Sequence, residues 1–387
     1  MTIKCPVCSN NEDFFTFYKV KDLPVFQNVT YSSYEEAVNC RKGDLALTFC
    51  PKCSMVFNSL FNPVLMSYSE NYDNEQSISD YFSDYIDSLI DIYEKDWGLK
   101  NKTILEIGCG KGAFLKRICE KTGSKGFGFD STYDGSIKSN NVIFKPEYFE
   151  KQSTPFKADF IILRHVLEHI NQPFNFLKEI LENIDNSHKP KIIIEVPDFE
   201  WIIKNKAFWD IYYEHCNYFT KHTMQNLAEL LGLKIVALFN TFNGQYMVLI
   251  ATISYSEISD VKENPSISND LLNKFSKNIL SKKQEIVVSI NQSSQEEYFV
   301  IWGGASKGII FLITLDDKVR KKIKFVVDIN KNKQGKYTAI TGKQIKPPDA
   351  IKKENSVKNI IIMNPNYEGE ILEILKSINR EFIIHKI

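Results

Sequence analysis

Short apolar runs alternate with amphipathic stretches through the middle of the chain. Residues 104–107, 156–163 and 191–197 are rich in Ile, Leu, Val and Phe, as is typical of strands buried on both faces. Residues 113–121 and 173–184 place their apolar side chains at helical spacing. This alternation of strands with helices predicts an α/β domain built around a largely parallel sheet.

A further helix is predicted just before the first of these strands. Between residues 79 and 97 the apolar positions recur every three or four residues. Tyr68 and Tyr72 precede this helix. They could point into a ligand pocket, although packing is the default interpretation of an isolated tyrosine.

A glycine-rich turn follows the first strand. Gly108, Gly110 and Gly112 occupy alternate positions, and the helix at 113–121 begins directly after them. Glycine lets a ligand approach the backbone closely, and the helix N-terminus offers N–H groups to it. The order strand, glycine turn, helix therefore predicts a nucleotide-binding unit.

The next predicted strand ends in an acidic residue, Asp130, in the position of a ribose ligand. The third glycine comes one residue earlier than in the Gly-x-Gly-x-x-Gly of dehydrogenases. The sequence of Leu105–Gly112, which includes Glu106, resembles motif I of class I S-adenosylmethionine (SAM) methyltransferases. We therefore expect SAM rather than NAD at this turn.

Two Cys-x-x-Cys motifs lie near the N-terminus, Cys5 with Cys8 and Cys50 with Cys53. Two such knuckles supply the four thiolates of a closed tetrahedral zinc site, which has no open position for catalysis. The alternatives are two unrelated cysteine pairs or a redox dithiol. The sequence favours a structural Zn²⁺.

Polar residues cluster where the strand at 156–163 ends. The segment that follows contains Arg164, His165, Glu168 and His169. The carboxyl ends of strands in an open α/β sheet face the ligand crevice, so we expect Glu168 and His169 to meet a ligand. His165 could equally be a structural histidine.

A second polar cluster lies in the aromatic stretch 208–219, which contains Tyr212, Tyr213, Glu214 and His215. The pKa of histidine suits a general base near neutral pH, and a nearby carboxylate could stabilise the imidazolium. Because adjacent residues do not normally share a face, Glu214 could bind the substrate instead. An aromatic loop that only packs is the alternative.

The C-terminal third repeats the pattern of strand, glycine turn and helix. Residues 256–269 read as a polar linker, and a helix is expected from there to about residue 290. A strand at 298–302 leads into a second glycine turn at 303–308. Lys307 could contact a pyrophosphate there. The alternative is a Rossmann-like scaffold that only packs.

The composition excludes some classes of partner. Forty-eight basic residues balance 48 acidic ones, so no overall charge favours nucleic acid or an anionic membrane. The sequence contains no apolar run long enough to span a membrane and no apparent signal-peptide core. We therefore expect a cytoplasmic protein, monomeric or homodimeric.

Taken over its whole length, the chain resembles the nucleotide-sugar C-methyltransferases that act on 4-keto-deoxyhexoses. The resemblance is carried by the cysteine knuckles, the first glycine turn and five further segments. These segments are 164–169, 211–215, 302–308, 328–335 and 342–345.

The resemblance implies roles for individual residues. His215 matches the base that removes the proton α to the ketone, at sugar C3, so that the enolate attacks the SAM methyl group. Tyr212, Glu214, His169 and one of Tyr68 or Tyr72 match residues that bind the sugar or stabilise the enolate. The remaining expected ligands are Glu106, Gly108, Gly110, Gly112, Asp130, Arg164 and His165 for the cofactor, and Glu168, Gly304 and Lys307 for the nucleotide sugar.

The resemblance also implies three domains. We expect a zinc-binding domain at 1–72, a SAM domain at 73–254 and a Rossmann-like nucleotide-sugar domain at 255–387.

The sequence departs from the family pattern at 242–247, where Phe-Asn-Gly-Gln-Tyr-Met replaces a Gly-Gly-Ser-Leu-Arg-like stretch near the substrate. Tyr213 also stands where the family often has histidine. An O- or N-methyltransferase with the same fold therefore remains an alternative. A SAM- or nucleotide-binding protein without catalysis is a third hypothesis.

Overall fold

The computed structural model describes residues 3–66, 79–150, 155–254 and 267–387. Tyr68, Tyr72 and most of the expected linker at 256–269 lie outside these ranges. None of the helices in the described ranges is both long and apolar enough to cross a membrane.

The N-terminal part forms a four-stranded antiparallel sheet beside the cysteine knuckles. Its strand order is β1-β2-β3-β9. The fourth strand, β9, comes from the middle of the chain and begins two residues after His215. The elements are β1 (Phe15–Pro24), α1 (Tyr34–Val38), β2 (Lys42–Phe49), β3 (Val56–Asn58) and β9 (Asn217–Tyr218).

The central part is a seven-stranded sheet with helices on both faces. The strand order is β10-β11-β8-β7-β4-β5-β6; β11 pairs antiparallel with both β10 and β8, and the other neighbouring strands are parallel. The strands are β4 (Thr103–Ile107), β5 (Lys125–Phe129), β6 (Val142–Lys145), β7 (Phe160–Arg164), β8 (Lys191–Pro197), β10 (Leu233–Thr241) and β11 (Tyr246–Ile253). The helices are α2 (Asp80–Trp97), α3 (Ala113–Thr122), α4 (Pro173–Glu182), α5 (Phe199–Asn205) and α6 (Lys221–Leu230).

The C-terminal part is a five-stranded parallel sheet ordered β14-β13-β12-β15-β16. Its strands are β12 (Tyr298–Trp302), β13 (Ile323–Val327), β14 (Ile345–Lys346), β15 (Val357–Ile362) and β16 (Ile383–Lys386). Its helices are α7 (Asn269–Gln292), α8 (Ser306–Thr314), α9 (Asp317–Arg320) and α10 (Glu368–Lys376). Short 3₁₀ helices lie at Pro63–Leu65, Leu167–His169, Asn186–His188, Phe208–Asp210, Phe242–Gly244, Pro348–Lys353 and Pro365–Tyr367.

Capping residues set the helix limits that the sequence predicted. The Ser79 side chain accepts from the N–H of Phe82 at the start of α2, and Gly98 ends that helix in the left-handed conformation. Thr220 caps α6 in the same way, and Gly232 follows that helix with positive φ. The prediction of a helix between residues 79 and 97 is confirmed.

Two predicted boundaries shift. The strand expected from residue 156 begins at Phe160; just before it, the carboxylate of Asp159 accepts the N–H of Thr103 at 2.8 Å. Helix α8 begins at Ser306, inside the glycine turn expected at 303–308. Its first turn passes so close to the glycine turn that a Cβ on Gly308 would lie 2.0 Å from the carbonyl oxygen of Gly303.

The core lies on both faces of the central sheet. On one face, residues such as Leu105 and Ile161 pack with α4, α6 and the cysteine knuckles. On the other face, Ile104 and Ile162 pack with α2 and α3. Neighbouring residues of one strand thus serve opposite cores, as the continuous apolar runs predict.

Gly112 should tolerate no side chain. It has a φ of 90°, and an added Cβ would lie 2.3 Å from the ring of Phe144. Gly135 is a matched control, because it also has positive φ but a Cβ added there would meet no atom within 4 Å. We expect Gly135→Ala to cost about 1 kcal/mol and Gly112→Ala about 2–4 kcal/mol of unfolding free energy. Urea denaturation measures both; equal losses would contradict the close packing.

Candidate active site

The first glycine turn is closed by hydrogen bonds to the end of β5. The Gly108 N–H donates to the Phe129 carbonyl, and the Gly110 N–H donates to Asp130 Oδ2, both at 2.8 Å. The other oxygen of Asp130 accepts from the backbone and hydroxyl of Thr132. Asp130 is thereby fixed beside the turn, where a ribose ligand is expected.

The three glycines of this turn have different surroundings. A Cβ on Gly108 would lie 2.4 Å from Val166, whereas a Cβ on Gly110 would meet nothing within 4 Å. Gly108 is therefore needed for packing, and Gly110 leaves its backbone open to a ligand. Gly112 is the N-cap of α3, so N–H groups of that helix face the same region.

Arg164 and Glu195 form a buried ion pair at the carboxyl ends of β7 and β8. Arg164 Nε donates to Glu195 Oε2 at 2.6 Å, and the guanidinium lies 4.1 Å from the ring centre of Phe114 in α3. The hydroxyl of Tyr85 donates to the other oxygen of Glu195 at 2.5 Å. Burial would raise the pKa of Glu195, but Arg164 and His165 outweigh it and hold the pKa well below its usual range. Both charges therefore persist at neutral pH.

Glu106, expected to bind the cofactor, is buried in β4 and only 2% exposed. Burial raises the pKa of its carboxyl to about 8, although the charge of Arg164 opposes this shift. Within the described ranges its Oε2 has no hydrogen-bond partner.

The loop that carries His215 is held by the N-terminal sheet. Strand β9 pairs with β3, and the Asn58 N–H donates to the carbonyl of Cys216 at 2.9 Å. The hydroxyl of Tyr213 accepts the Asn62 N–H at 2.9 Å, and its ring packs directly over Gly43. Tyr213 thus anchors the loop, which fits a packing role for this residue.

His215 lies in a cavity of about 130 Å³ between the three parts of the chain. The rings of Tyr212 and His169 each stand edge-on to it, with centroids 4.8 Å away. Burial lowers the pKa of His215 well below its ordinary value, and the charges of His169, His165 and Lys307 lower it further. The imidazole is therefore neutral and able to accept a proton at neutral pH.

Glu214 does not lie beside His215 as an orienting group. Its side chain is fully buried; Oε2 accepts the Gln27 N–H at 3.2 Å, and Oε1 lies 3.7 Å from Nδ1 of His169. The carbonyl of Glu214 also contacts His169 Nδ1 at 3.2 Å. The structure thus places Glu214 behind His169, where it can orient that ring.

His165 joins the two buried carboxylates of the site. Its φ of 53° is left-handed, and its ring nitrogens lie 3.2 Å from Glu168 and 3.5 Å from Glu195. Burial opposes protonation, but these carboxylates outweigh it and raise the pKa of His165 to about 9. His165 therefore carries a positive charge on the wall of the cavity at neutral pH.

Asp210 is a site residue that the sequence reasoning did not single out. Its Oδ1 accepts the hydroxyl of Tyr212 at 2.9 Å and forms an ion pair with Nζ of Lys307 in α8. The loop of His215 is thus tied to the second glycine turn. The residue lies inside the recognised 208–219 stretch, but nothing in its spacing identified its partner.

The second glycine turn repeats the geometry of the first. The Gly303 N–H donates to the Val327 carbonyl at 2.8 Å, and the Gly304 N–H donates to Asp328 Oδ2 at 2.9 Å. The other oxygen of Asp328 accepts the N–H of Asn330 at 2.8 Å. Asp328 thus corresponds to Asp130. Because Asp328 directly follows the apolar run of β13, the sequence could have revealed this match.

This second turn opens into a cavity of about 220 Å³. The two cavities share part of their walls, so they adjoin. The shared residues are Asn28, Tyr246, Ser306 and Lys307.

The four cysteines of the knuckles converge. Cys5 Sγ lies 3.4 Å from Cys53 Sγ, and Cys8 Sγ lies 3.7 Å from Cys50 Sγ. Four sulfurs bound tetrahedrally at about 2.3 Å from zinc would be about 3.8 Å apart, so the set fits this ion closely. Cys40 lies elsewhere, packed against Ile309 and Ala339.

Glu168, His169 and His215 form the other cluster of possible metal ligands in the described ranges, with donor atoms within 4.8 Å of one another. Tyr68 and Tyr72, also expected here, lie outside the described residues.

Two family models match the chain. Residues 79–238 match a methyltransferase domain, and residues 261–384 match a C-methyltransferase C-terminal domain. No curated protein matches the chain.

Solved structures of methyltransferases are similar to less than half of the chain. One is a SAM-dependent methyltransferase from Aquifex aeolicus, with 19% identity over 45% of this chain and 99% of its own, at a TM-score of 0.34. Another is the magnesium protoporphyrin IX methyltransferase of Synechocystis PCC 6803 with bound S-adenosylhomocysteine, with 15% identity over 47% and 91%, at 0.37.

A methyltransferase is indicated by the strand order, by the closed glycine turn and by the two family matches. The central sheet has the class I methyltransferase fold, as predicted. The chain is a SAM-dependent methyltransferase that carries a C-methyltransferase C-terminal domain.

Proposed function

We propose that the enzyme methylates C3 of a nucleotide-linked 4-keto-deoxysugar. In this reaction His215 removes the proton α to the ketone, and the resulting enolate attacks the methyl group of SAM. The substrate class comes from the family resemblance.

The observation that carries the proposal is the contact between the two cavities. One contains His215, the other is lined by the second glycine turn, and Lys307 belongs to both. A single nucleotide sugar could therefore place its sugar beside the base and its diphosphate against Lys307. Asp328 is fixed like Asp130, so it is suited to hold the ribose of the nucleoside.

The side chains around His215 fit proton abstraction from carbon. A C–H next to a carbonyl becomes acidic enough for histidine only when the developing oxyanion is stabilised. Protonated His165 lies on the cavity wall and supplies positive charge, and Lys307 lies on the same wall in its ion pair with Asp210. Tyr212 is held against Asp210, which keeps its ring edge-on to His215.

SAM, when bound, supplies an electrophilic methyl group. The protein's own residues must align the two reactants and exclude water. Gly110, Asp130 and the first turn of α3 form a cradle that fits the cofactor, and the buried Arg164–Glu195 pair fixes the strand ends beside it.

The cysteine cluster is proposed to bind one structural Zn²⁺. Its knuckles pack against α6, where Thr223 donates to the carbonyl of Ser54 at 2.9 Å and Asn226 to that of Cys53 at 3.4 Å. The ion would therefore stabilise the sheet that holds the His215 loop, without taking part in catalysis.

Removal of His215 should abolish proton exchange. With SAM absent, we expect the wild type to exchange the α-proton of an NDP-4-keto-6-deoxyhexose for solvent deuterium, measured by mass spectrometry. His215→Asn should lower this rate by about 10²–10⁴-fold, because the general base is lost. The control variant His222→Asn, on α6, should leave the exchange rate unchanged.

Two outcomes would favour another function. The panel of substrates contains keto-sugars linked to dTDP, UDP, GDP and CDP. If the wild type exchanges none of them but methylates oxygen or nitrogen, the alternative reaction is supported. Tight SAM binding without any turnover would instead indicate a binding protein.

The exchange reaction should remain active in weak acid. Only neutral His215 accepts a proton, so the rate falls as pH drops through its pKa. Because that pKa is lowered below 6.5, the rate at pH 6.5 should still be near its plateau, with the acid limb at lower pH. A pH–rate profile of wild-type exchange tests this. A half-maximal rate above pH 7 would contradict the assignment of His215 as the base.

The purified protein should contain one zinc ion per chain. Cys53→Ser should lose the metal and several kcal/mol of stability, because structural zinc contributes directly to folding. Cys40→Ser should keep the metal. Elemental analysis and thermal unfolding measure these outcomes. Zinc near zero in undamaged protein would exclude the proposed ion.

A further inference from the structure

The segment that departs from the family pattern places one amide in the cavity of His215. Gln245 follows the 3₁₀ helix Phe242–Gly244 and is 5% exposed. Its side chain lines the same cavity as Tyr212, His169 and His215. Its N–H donates to the carbonyl of Phe242, and its carbonyl accepts the N–H of Asp198, so its backbone is fixed.

Two asparagines of the C-terminal domain approach the Gln245 carbonyl oxygen. Nδ2 of Asn366 donates to Gln245 Oε1 at 3.2 Å, and Nδ2 of Asn364 donates to it at 3.4 Å. Both follow β15, and Asn364 also lines the cavity of the second glycine turn.

Backbone groups determine which way these amides face. A backbone N–H can only donate, and that of Asn366 donates to Oδ1 of Asn364 at 3.1 Å; the NH₂ of Asn364 must therefore face Gln245. A backbone carbonyl can only accept, and that of Phe242 accepts from Nδ2 of Asn366 at 3.3 Å. Two donors thus converge on Gln245, which must present its oxygen to them.

The NH₂ group of Gln245 must then point away from these asparagines. No described side chain or backbone group accepts a hydrogen bond from it, and Gln245 lines the cavity of His215. A ligand bound in that cavity can therefore supply an acceptor for this NH₂ group.

We propose that Gln245 is a substrate-binding subsite whose amide NH₂ donates to an oxygen of the sugar, either the keto oxygen or a hydroxyl. The inference rests on the proposed function and adds a rule for selectivity to it. Because the exposed end of this amide only donates, it favours oxygen over an ammonium group at the facing position. An amino sugar bearing its nitrogen there is a poor substrate.

Gln245→Glu isolates the donor. The carboxylate keeps the shape and still accepts from Asn364 and Asn366, but it replaces the NH₂ with an acceptor. The probes are dTDP-4-keto-6-deoxy-D-glucose, its UDP counterpart and free dTDP and UDP, titrated calorimetrically with S-adenosylhomocysteine present. At pH 8 we expect the Kd of the keto-sugar to rise about 100-fold and that of the free nucleotide to stay the same. Gln284→Glu, on the exposed side of α7, is the matched control.

Lowering the pH should partly restore the variant. A protonated carboxyl group has an O–H donor, so at pH 5.5 the loss relative to wild type should shrink to less than about 10-fold. Gln245→Met, which lacks both donor and charge, should lose about 10-fold at both pH values.

The outcomes separate this inference from the proposed function. Unchanged keto-sugar binding by Gln245→Glu, or equal loss of keto-sugar and free nucleotide, contradicts the subsite alone. A wild type that binds free nucleotide but no keto-sugar contradicts both proposals.

Discussion

The placement of His215 depends on a pairing between strands that are far apart in the chain. His215 stands just before β9, and β9 exists as a strand only because it joins β3. The central sheet positions the first glycine turn and Asp130, but His215, the proposed base, belongs to the edge of the N-terminal sheet. The carbonyl of Cys216 and the hydroxyl of Tyr213 both contact that N-terminal part. The N-terminal part therefore holds the loop that carries the proposed base.

A chain of buried charges connects the two sides. Arg164 pairs with Glu195, Glu195 approaches His165, and His165 contacts Glu168. Charges this deeply buried persist only when each has a partner, and removal of one leaves its neighbour uncompensated. The cluster therefore fixes the carboxyl ends of β7 and β8 in one arrangement. His215 is the neutral member of this charged cavity, because burial and, to a lesser extent, the positive groups around it lower its pKa.

The sequence predicted much of the cofactor side and less of the substrate side. Gly108, Gly110, Gly112 and Asp130 could be recognised because a strand, a turn and a terminal acid follow each other closely. Each cysteine knuckle could be recognised because its two cysteines lie close together in the sequence. The four sulfurs converge as predicted. Their metal and the roles given to the site residues remain predictions.

Long-range partners could not be read from spacing. The ion pair of Lys307 with Asp210 joins two domains, and neither residue lies in a local pattern that names the other. Glu214 was expected near His215 or the substrate, but tertiary packing turns it toward Gln27 and His169. The role inferred for Gln245 depends on backbone groups of Phe242 and Asn366, which only the folded chain brings together.

The pairing of β9 with β3 affects how the protein is synthesised. On the ribosome, β3 emerges long before β9, because more than 150 residues separate Asn58 from Asn217. Until Tyr218 is made, the N-terminal sheet exposes an open edge, which is prone to pair with other chains. Non-local pairing of this kind is also slow to form. The nascent N-terminal segment must therefore wait for the middle of the chain, and protection of its open edge by a chaperone would matter most in that interval.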